Sequence, residues 1–137
     1  MSNKYSRISK VKINTLNKNG KTILDDVYFT SPFKVAPPFY KSDDFVKVIV
    51  MSSSAGTMDG DIQEYDITLG DNTKMELTSQ SFEKIHTMVE NEAKRDCDIS
   101  IGKNSLLIYN LLPTIPFKDS AFKSKINIKS FLIFLNN

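Results

Sequence analysis

Four acidic side chains lie close together in the middle of this 137-residue chain, where they could bind a cation. Asp59 and Asp61 fall in a glycine-containing turn, and Glu64 and Asp66 follow in an alternating apolar stretch. In a strand, residues 64 and 66 share one face while Asp61 points to the other. Carboxylate oxygens are hard ligands that suit weak, transient binding of divalent cations. A solvated turn is the simpler interpretation, and the residues alone leave both open.

The polar run 78–81 (Thr-Ser-Gln-Ser) follows an apolar strand pattern. Its alternate side chains could line a water-filled channel, or they could form the exposed face of a strand. Periodicity does not decide between these two interpretations.

Other catalytic and metal chemistry has little support in the residues. His86 and Cys97 are the only histidine and cysteine, so clustered zinc spacing is excluded and each is expected to be structural. The serines at 52–54 lack a nucleophile elbow, which makes a small β-rich hydrolase the weakest hypothesis. Gly56 and Gly60 are not a phosphate loop, because no Lys-Ser/Thr pair follows them.

Length, composition and charge limit the classes of protein to which this chain can belong. The length predicts one domain over residues 1–137, and 40% hydrophobic with 25% charged residues is ordinary for a soluble globular protein. A net charge of +2 without a basic block argues against nucleic acid as a partner. A single cysteine and the lack of an apolar leader or membrane-length window predict a cytoplasmic protein with no membrane contact.

Alternation of apolar and polar residues dominates the chain and predicts an all-β fold of at least eight strands, with few short helices near 81–90 and 90–95. Turn residues separate the strands, beginning with the hairpin signal Asn17-Lys18-Asn19-Gly20. The prolines at 32, 37 and 38 place the segment 31–40 at a sheet edge or crossing. Gly70-Asp71-Asn72 and Gly102-Lys103-Asn104, about 32 residues apart, suggest stacked, similar hairpins. The alternation is seen over Val11–Leu16, Phe45–Met51, Ile62–Leu69, Met75–Thr78, Ile99–Ile101, Leu106–Tyr109 and Ile126–Ile128.

The order of short motifs along the chain resembles the UreD/UreH family of urease accessory proteins, with the epsilonproteobacterial UreH branch looking most similar. The motifs span nearly the whole chain. They are Ser31-Pro32-Phe33, Pro37-Pro38-Phe39-Tyr40, Ser54-Ala55-Gly56, Gly60-Asp61, Leu77-Thr78-Ser79-Gln80-Ser81-Phe82-Glu83-Lys84-Ile85-His86, Ala93, Ile101-Gly102, Pro113, Ile115-Pro116-Phe117, Ser120 and Phe122.

The resemblance implies an elongated, β-helix-like stack of short strands and a non-enzymatic role in urease maturation. Family members pair with the helical partner UreF, recruit the GTPase UreG and assist nickel insertion into apo-urease, with no tightly bound cofactor and nickel only in transit. It further implies that Asp61 is a channel or gating residue, that Thr78 and Gln80 line the nickel path, and that Gly56 and Gly60 set the turn. Where the family often has Gly-Gly, this chain has Asp59-Gly60.

Family members are about twice this length, so the chain is expected to be an N-terminal half that is truncated at its C-terminus. The alternative function is therefore an inactive fragment with no partner binding. An uncovered last strand is expected to promote self-association. Charged substitutions at Leu132 and Phe134 are expected to restore solubility.

Overall fold

The computed structural model describes residues 8–130, and within that range the chain is all-β. Leu132 and Phe134, where charged substitutions are predicted to restore solubility, lie outside the described residues. Twelve strands account for most of the described residues, and no helix, membrane-spanning or otherwise, occurs among them. The strands are β1 (Ile8–Lys18), β2 (Lys21–Phe29), β3 (Phe33–Val35), β4 (Phe39–Ser42), β5 (Phe45–Ser52), β6 (Ile62–Leu69), β7 (Lys74–Ser79), β8 (Glu83–Ile85), β9 (Ala93–Ile101), β10 (Leu106–Asn110), β11 (Thr114–Pro116) and β12 (Phe122–Ser130).

The first sheet is built mainly from parallel strands that are distant in sequence. Its order is β12-β9-β6-β1-β2, and only the β1–β2 pair is antiparallel. The second sheet has the order β10-β7-β5-β3, with β5, β7 and β10 parallel and β4 also paired to β5. Strands β8 and β11 form a small third sheet.

The chain passes through the three sheets in turn and then repeats. After β6 it enters the second sheet as β7 and the third as β8, and β9 then pairs with β6. The same order continues through β10 and β11 to β12. Parallel neighbours therefore belong to successive passes of the chain, as crossover connections require. The elongated, β-helix-like shape remains a prediction, whereas the all-β class is confirmed.

The expectation of short helices is wrong within the described residues. The segments 81–90 and 90–95 contain the short strand β8 and the start of β9. The alternation of β9 begins at Ala93 rather than at Ile99. Because the inward position 95 is an arginine, the pattern of apolar residues does not reveal the first part of this strand. The short strands β3, β4, β8 and β11 and the strand β2 were also absent from the predicted set.

The core lies between the inward faces of the two large sheets. Its columns follow the register, so that Val11, Tyr65 and Cys97 occupy one level and Ile13, Ile67 and Ile99 the next. Cys97 is a fully buried thiol among these apolar side chains, in agreement with a structural role. Facing residues of the second sheet complete the cluster: Val46, Val48, Val50, Met75 and Leu77.

Turn signals in the sequence are confirmed, with one change of geometry. Asn19 and Gly20 both have positive φ and close the β1–β2 hairpin. The turns that begin at Gly70 and Gly102 are stacked on each other. Each turn joins strands of different sheets, so it is a corner and not a hairpin. The Gly102 amide donates to the Leu69 carbonyl at 2.9 Å, and the hydroxyl of Ser105 donates to the Gly70 carbonyl at 2.6 Å.

The proline-rich segment lies at a sheet edge, as its lack of amide donors predicts. Strands β3 and β4 flank Pro37-Pro38, and both pair with β5 at the border of the second sheet.

Candidate functional site

A cavity of about 320 Å³ opens where β6 and β9 begin and β5 and β7 end. Its floor is polar and mostly buried, and comprises Thr57, Gln63, Tyr65, Glu83 and Arg95. Serine hydroxyls and the exposed ring of Phe82 contribute to its walls. A concave site with a few converging polar groups is the usual form of a binding site.

Strand register explains why a polar floor forms here. One inward-facing level of the first sheet holds Ser9, Gln63 and Arg95, all of them buried. The next inward level, two residues further along each strand, is Val11, Tyr65 and Cys97 and belongs to the core. The strands therefore bury polar residues at their starts and apolar residues in their centres.

The floor is a closed network of hydrogen bonds around Arg95. The Arg95 Nε donates to Gln63 Oε1 at 2.8 Å, and its Nη2 forms an ion pair with Glu83. Gln63 Nε2 donates to Glu83 Oε1 at 2.8 Å and lies 3.1 Å from Thr57 Oγ1. The rings of Tyr65 and Phe122 lie 5.1 and 5.6 Å from the guanidinium carbon. Buried charge is tolerated because each charged group has a partner.

Burial and neighbouring groups set the protonation states of Tyr65 and Arg95 in the floor. It raises the pKa of Tyr65 to about 12, so that this phenol is neutral at physiological pH. Burial opposes the charged form of Arg95, but neighbouring Tyr65 and Glu83 outweigh it and raise the pKa of the guanidinium. Arg95 therefore remains a cation and cannot serve as an acid or base near neutral pH.

Asp61 lies in the cavity wall, on the inward side of β6 as the alternation predicts. One of its carboxylate oxygens accepts a hydrogen bond from the Met58 amide at 2.9 Å, and its own amide donates to the Met58 carbonyl at 3.1 Å. The carboxylate therefore closes the turn and faces the cavity at once. Gly60, buried with φ of 82°, provides the left-handed residue of this turn.

Gly56 lines the cavity at a point of close contact between passes of the chain. A Cβ there would lie 2.5 Å from the Lys84 carbonyl oxygen and 2.8 Å from Nε2 of His86. That histidine nitrogen is also 3.1 Å from the Ala55 carbonyl, and the ring packs edge-on against Phe117. His86 therefore has structural contacts, as expected for the only histidine.

Thr78 and Gln80 do not line this cavity. Thr78 lies on the outer face of β7, in register with Ile49 and Asn110, and Gln80 is exposed just beyond that strand. The alternate residues Ser79 and Ser81 line the cavity instead. The structure thus brings Asp61 to the site together with Gly56, while the role of Thr78 and Gln80 stays a prediction.

The acidic cluster is divided between different surroundings. Glu64 and Asp66 point outward, and Glu64 lies 3.9 Å from Lys10 Nζ. Asp59 accepts hydrogen bonds from three successive amides, at residues 89–91, with distances of 3.0 to 3.1 Å. Among residues 8–130, no group of three or more His, Cys, Asp or Glu side chains is placed to hold a metal ion.

Sequence reasoning missed the residues that form the floor. Gln63 and Arg95 occupy inward positions of alternating strands, and a charged residue at such a position is itself a signal. Their partner Glu83 could not be identified this way, because it belongs to a different sheet.

Comparison with known proteins gives the family. A family model described as "UreD urease accessory protein" matches residues 9–130, which is nearly the whole of the described fold. The chain belongs to the UreD urease accessory protein family. This membership confirms the resemblance carried by the sequence motifs.

Curated relatives of this UreD-family chain carry the same description. It is 39% identical over 127 residues to "Urease accessory protein UreH" of Helicobacter pylori strain G27, covering 92% of this chain and 48% of that protein. It is 41% identical over 125 residues to "Urease accessory protein UreD" of Acetivibrio thermocellus, covering 90% and 48% respectively. The UreD-family chain thus spans about half the length of the curated relatives it matches.

Proposed function

We propose that this chain acts in urease maturation as a non-enzymatic scaffold in the cytoplasm. It binds a UreF-like helical partner, a UreG-like GTPase and apo-urease, and it assists nickel insertion. The observation that carries this proposal is the UreD family match over residues 9–130, since it covers both large sheets and the cavity.

The cavity chemistry supports binding and positioning rather than bond chemistry. Its guanidinium is fixed by an ion pair, and the carboxylate of Glu83 is already engaged by Arg95 and Gln63. Asp61 is the carboxylate on the wall, and we propose that it contacts nickel in transit. Ser79 and Ser81, which face the same space, are proposed to take part in lining the path.

Urease activation tests the proposal directly. The chain is expressed in a host that carries a urease cluster lacking only its UreD gene, and urease activity and nickel content are measured. Restored activity with bound nickel is expected. A matched core variant, Val48→Asp, places a charge at a fully buried position and should restore nothing.

Co-purification distinguishes a scaffold that binds partners from the alternative, an inactive fragment that binds none. The tagged chain is passed over lysate containing the UreF-like partner, and recovery of that partner is expected. A folded chain that recovers no partner and restores no activity would favour an inactive fragment.

A further inference from the structure

The hydrogen-bond network on the cavity floor leaves one end of the Arg95 guanidinium without an acceptor. Arginine carries five N–H groups, and here the Nε group bonds Gln63 while Nη2 bonds Glu83. Nη1 has no partner among residues 8–130. Arg95 is only 7% exposed and lines the cavity, so these donors border the cavity space. Buried donors normally have acceptors, so a donor that faces a cavity without one indicates a ligand.

Tyr65 provides a second donor of this kind. It is 3% exposed, and its ring packs edge-on against Phe33 at a centroid distance of 5.6 Å. Its hydroxyl has no hydrogen-bond partner in the described part of the chain, yet the oxygen is not sealed inside the core. Burial raises the pKa of this phenol to about 12, so the hydroxyl keeps its proton at neutral pH and can donate it. Because Tyr65 lines the cavity, its hydroxyl and Arg95 face the same space.

The acceptors of the floor are already engaged. Oε1 of Glu83 accepts from Thr57 and Gln63, and its Oε2 accepts from Arg95. Oε1 of Gln63 also accepts from Arg95. On the wall, Ser79 Oγ accepts from a backbone amide at 2.9 Å, which leaves its own proton without an acceptor within the described range. The cavity therefore offers donors to a ligand that accepts, and a carboxylate is the acceptor that forms strong, charge-assisted bonds with arginine.

Charge and shape limit the kind of carboxylate. The ionisable lining residues are Asp61, Glu83, Lys84 and Arg95, and their formal charges cancel. A monoanion therefore meets no net repulsion, whereas a dianion adds excess negative charge beside two carboxylates. A volume of about 320 Å³ lies at the small end of ligand pockets. The apolar part of the wall includes Phe33, Val50, Leu111 and Leu112.

We propose that this cavity binds a small monocarboxylate with a compact apolar body. The carboxylate accepts hydrogen bonds from Arg95 and Tyr65, and the body contacts the apolar part of the wall. This ligand is additional to the proposed contact between Asp61 and nickel. Its binding requires neither nickel nor a urease component, so its failure would leave the maturation proposal intact.

Titration of the full chain with benzoate tests this inference. Isothermal titration calorimetry is carried out in a buffer free of nickel and of other carboxylates. Three matched probes are benzylamine, which places a cation on the same ring, acetate, which lacks the ring, and sulfate, which is a dianion. Benzoate should bind one site about tenfold or more tightly than each of these, because only benzoate combines the apolar body with a single negative charge.

Variants locate the bound carboxylate. Tyr65→Phe keeps the ring that packs against Phe33 and removes a hydroxyl without a partner among the described residues, so the variant should fold. It should weaken benzoate binding about tenfold, since it removes one hydrogen bond to a charged group. The matched control Tyr109→Phe removes a hydroxyl from a tyrosine that does not line the cavity and should leave binding unchanged.

Three results would overturn the inference. These are no saturable binding of benzoate, equal affinity for benzoate and benzylamine, and benzoate binding that Tyr65→Phe leaves intact. Tighter binding of sulfate than of benzoate would show that the cavity takes dianions and would equally refute it.

Discussion

At the scale of single residues, the side of the strand on which a residue lies decides its chemistry. Gln63 and Arg95 point inward at the same level and meet Glu83, whereas Glu64 and Asp66 point outward. Asp61 is a wall carboxylate because it continues the inward side of β6. Two predictions belong to this scale.

Substitution of Asp61 separates its charge from its role in the turn. Asp61→Asn keeps an oxygen that accepts from the Met58 amide, so the free energy of unfolding should change by less than about 0.5 kcal/mol. Asp61→Ala loses that hydrogen bond and should cost about 1 kcal/mol while leaving the fold intact. Both variants should lower urease activation, measured in the complementation assay. Full activation by Asp61→Asn would return this residue to the solvated-turn interpretation.

Alkaline pH should destabilise the protein through groups whose burial raises their pKa. Burial raises the pKa of Cys97 to about 11 and that of Tyr65 to about 12. Above about pH 9 the unfolded chain releases the thiol proton while the folded chain retains it, so the unfolded state gains stability. Between pH 9 and 10, Cys97 alone should lower the free energy of unfolding by about 1 kcal/mol, with Tyr65 contributing at higher pH.

Urea titrations at several pH values measure this loss. Cys97→Ala should remove the part that begins near pH 9. Tyr65→Phe should reduce the part that begins near pH 10, to which Tyr109 also contributes because burial raises the pKa of its phenol. Stability that does not change from pH 8 to 11 would show that these groups are exposed to water.

At the scale of elements, successive passes of the chain touch through their corners. The Gly70 and Gly102 corners stack by direct hydrogen bonds, with the Lys103 amide donating to an Asp71 carboxylate oxygen at 2.7 Å. Gly56 provides a similar contact beside the cavity, where Thr57 bridges to Ile85. Small residues at corners therefore set the spacing between passes.

Two glycine substitutions test this spacing. Gly56→Ala should destabilise by more than about 2 kcal/mol, because its Cβ meets the Lys84 carbonyl and its φ of 139° is strained for alanine. Gly20→Ala is the matched control: its φ is 83°, but its Cβ meets nothing within 4 Å, so about 1 kcal/mol is expected. Thermal or urea unfolding compares them. Equal losses would mean that the corner at Gly56 can open without cost.

At the scale of the whole molecule, the core is not equally covered from one end of the stack to the other. The column Ile13, Ile67, Ile99 and Ile128 runs across the first sheet. Its first three members are at most 2% exposed, while Ile128 is 40% exposed. β2, β3 and β4 lie at the β1 and β5 borders of the two large sheets, whereas β12 is the other border of the first sheet.

Truncating isoleucines along this column should show how the cost of losing a side chain falls as its exposed fraction rises. Ile67→Ala should cost about 2–5 kcal/mol, as for a fully buried isoleucine. Ile128→Ala removes a side chain that is already partly hydrated, so it should cost less than about 2 kcal/mol. Urea unfolding measures both. A loss at Ile128 equal to that at Ile67 would show that the Ile128 side chain is covered in solution.

Local patterns in the sequence determined the all-β class, most long strands and the hairpin at Asn19-Gly20. They could do so because a strand has a period of two residues and a tight turn needs particular φ values at particular residues. The motif order also identified the family, since that information lies in the residues themselves. The core positions of β1, β5, β6 and β7 follow from the same alternation.

Tertiary structure alone decided the floor of the candidate site. Arg95 and Glu83 meet because β8 and β9 belong to different sheets that converge on one cavity, and no local pattern encodes that convergence. The alternation of Met75 and Leu77 already places Ser79 on the inward face of β7 and Thr78 on the outer face. Only the tertiary structure shows that the end of this inward face borders the cavity. Register between strands from successive passes is a long-range property, set by how the side chains of all the sheets pack together.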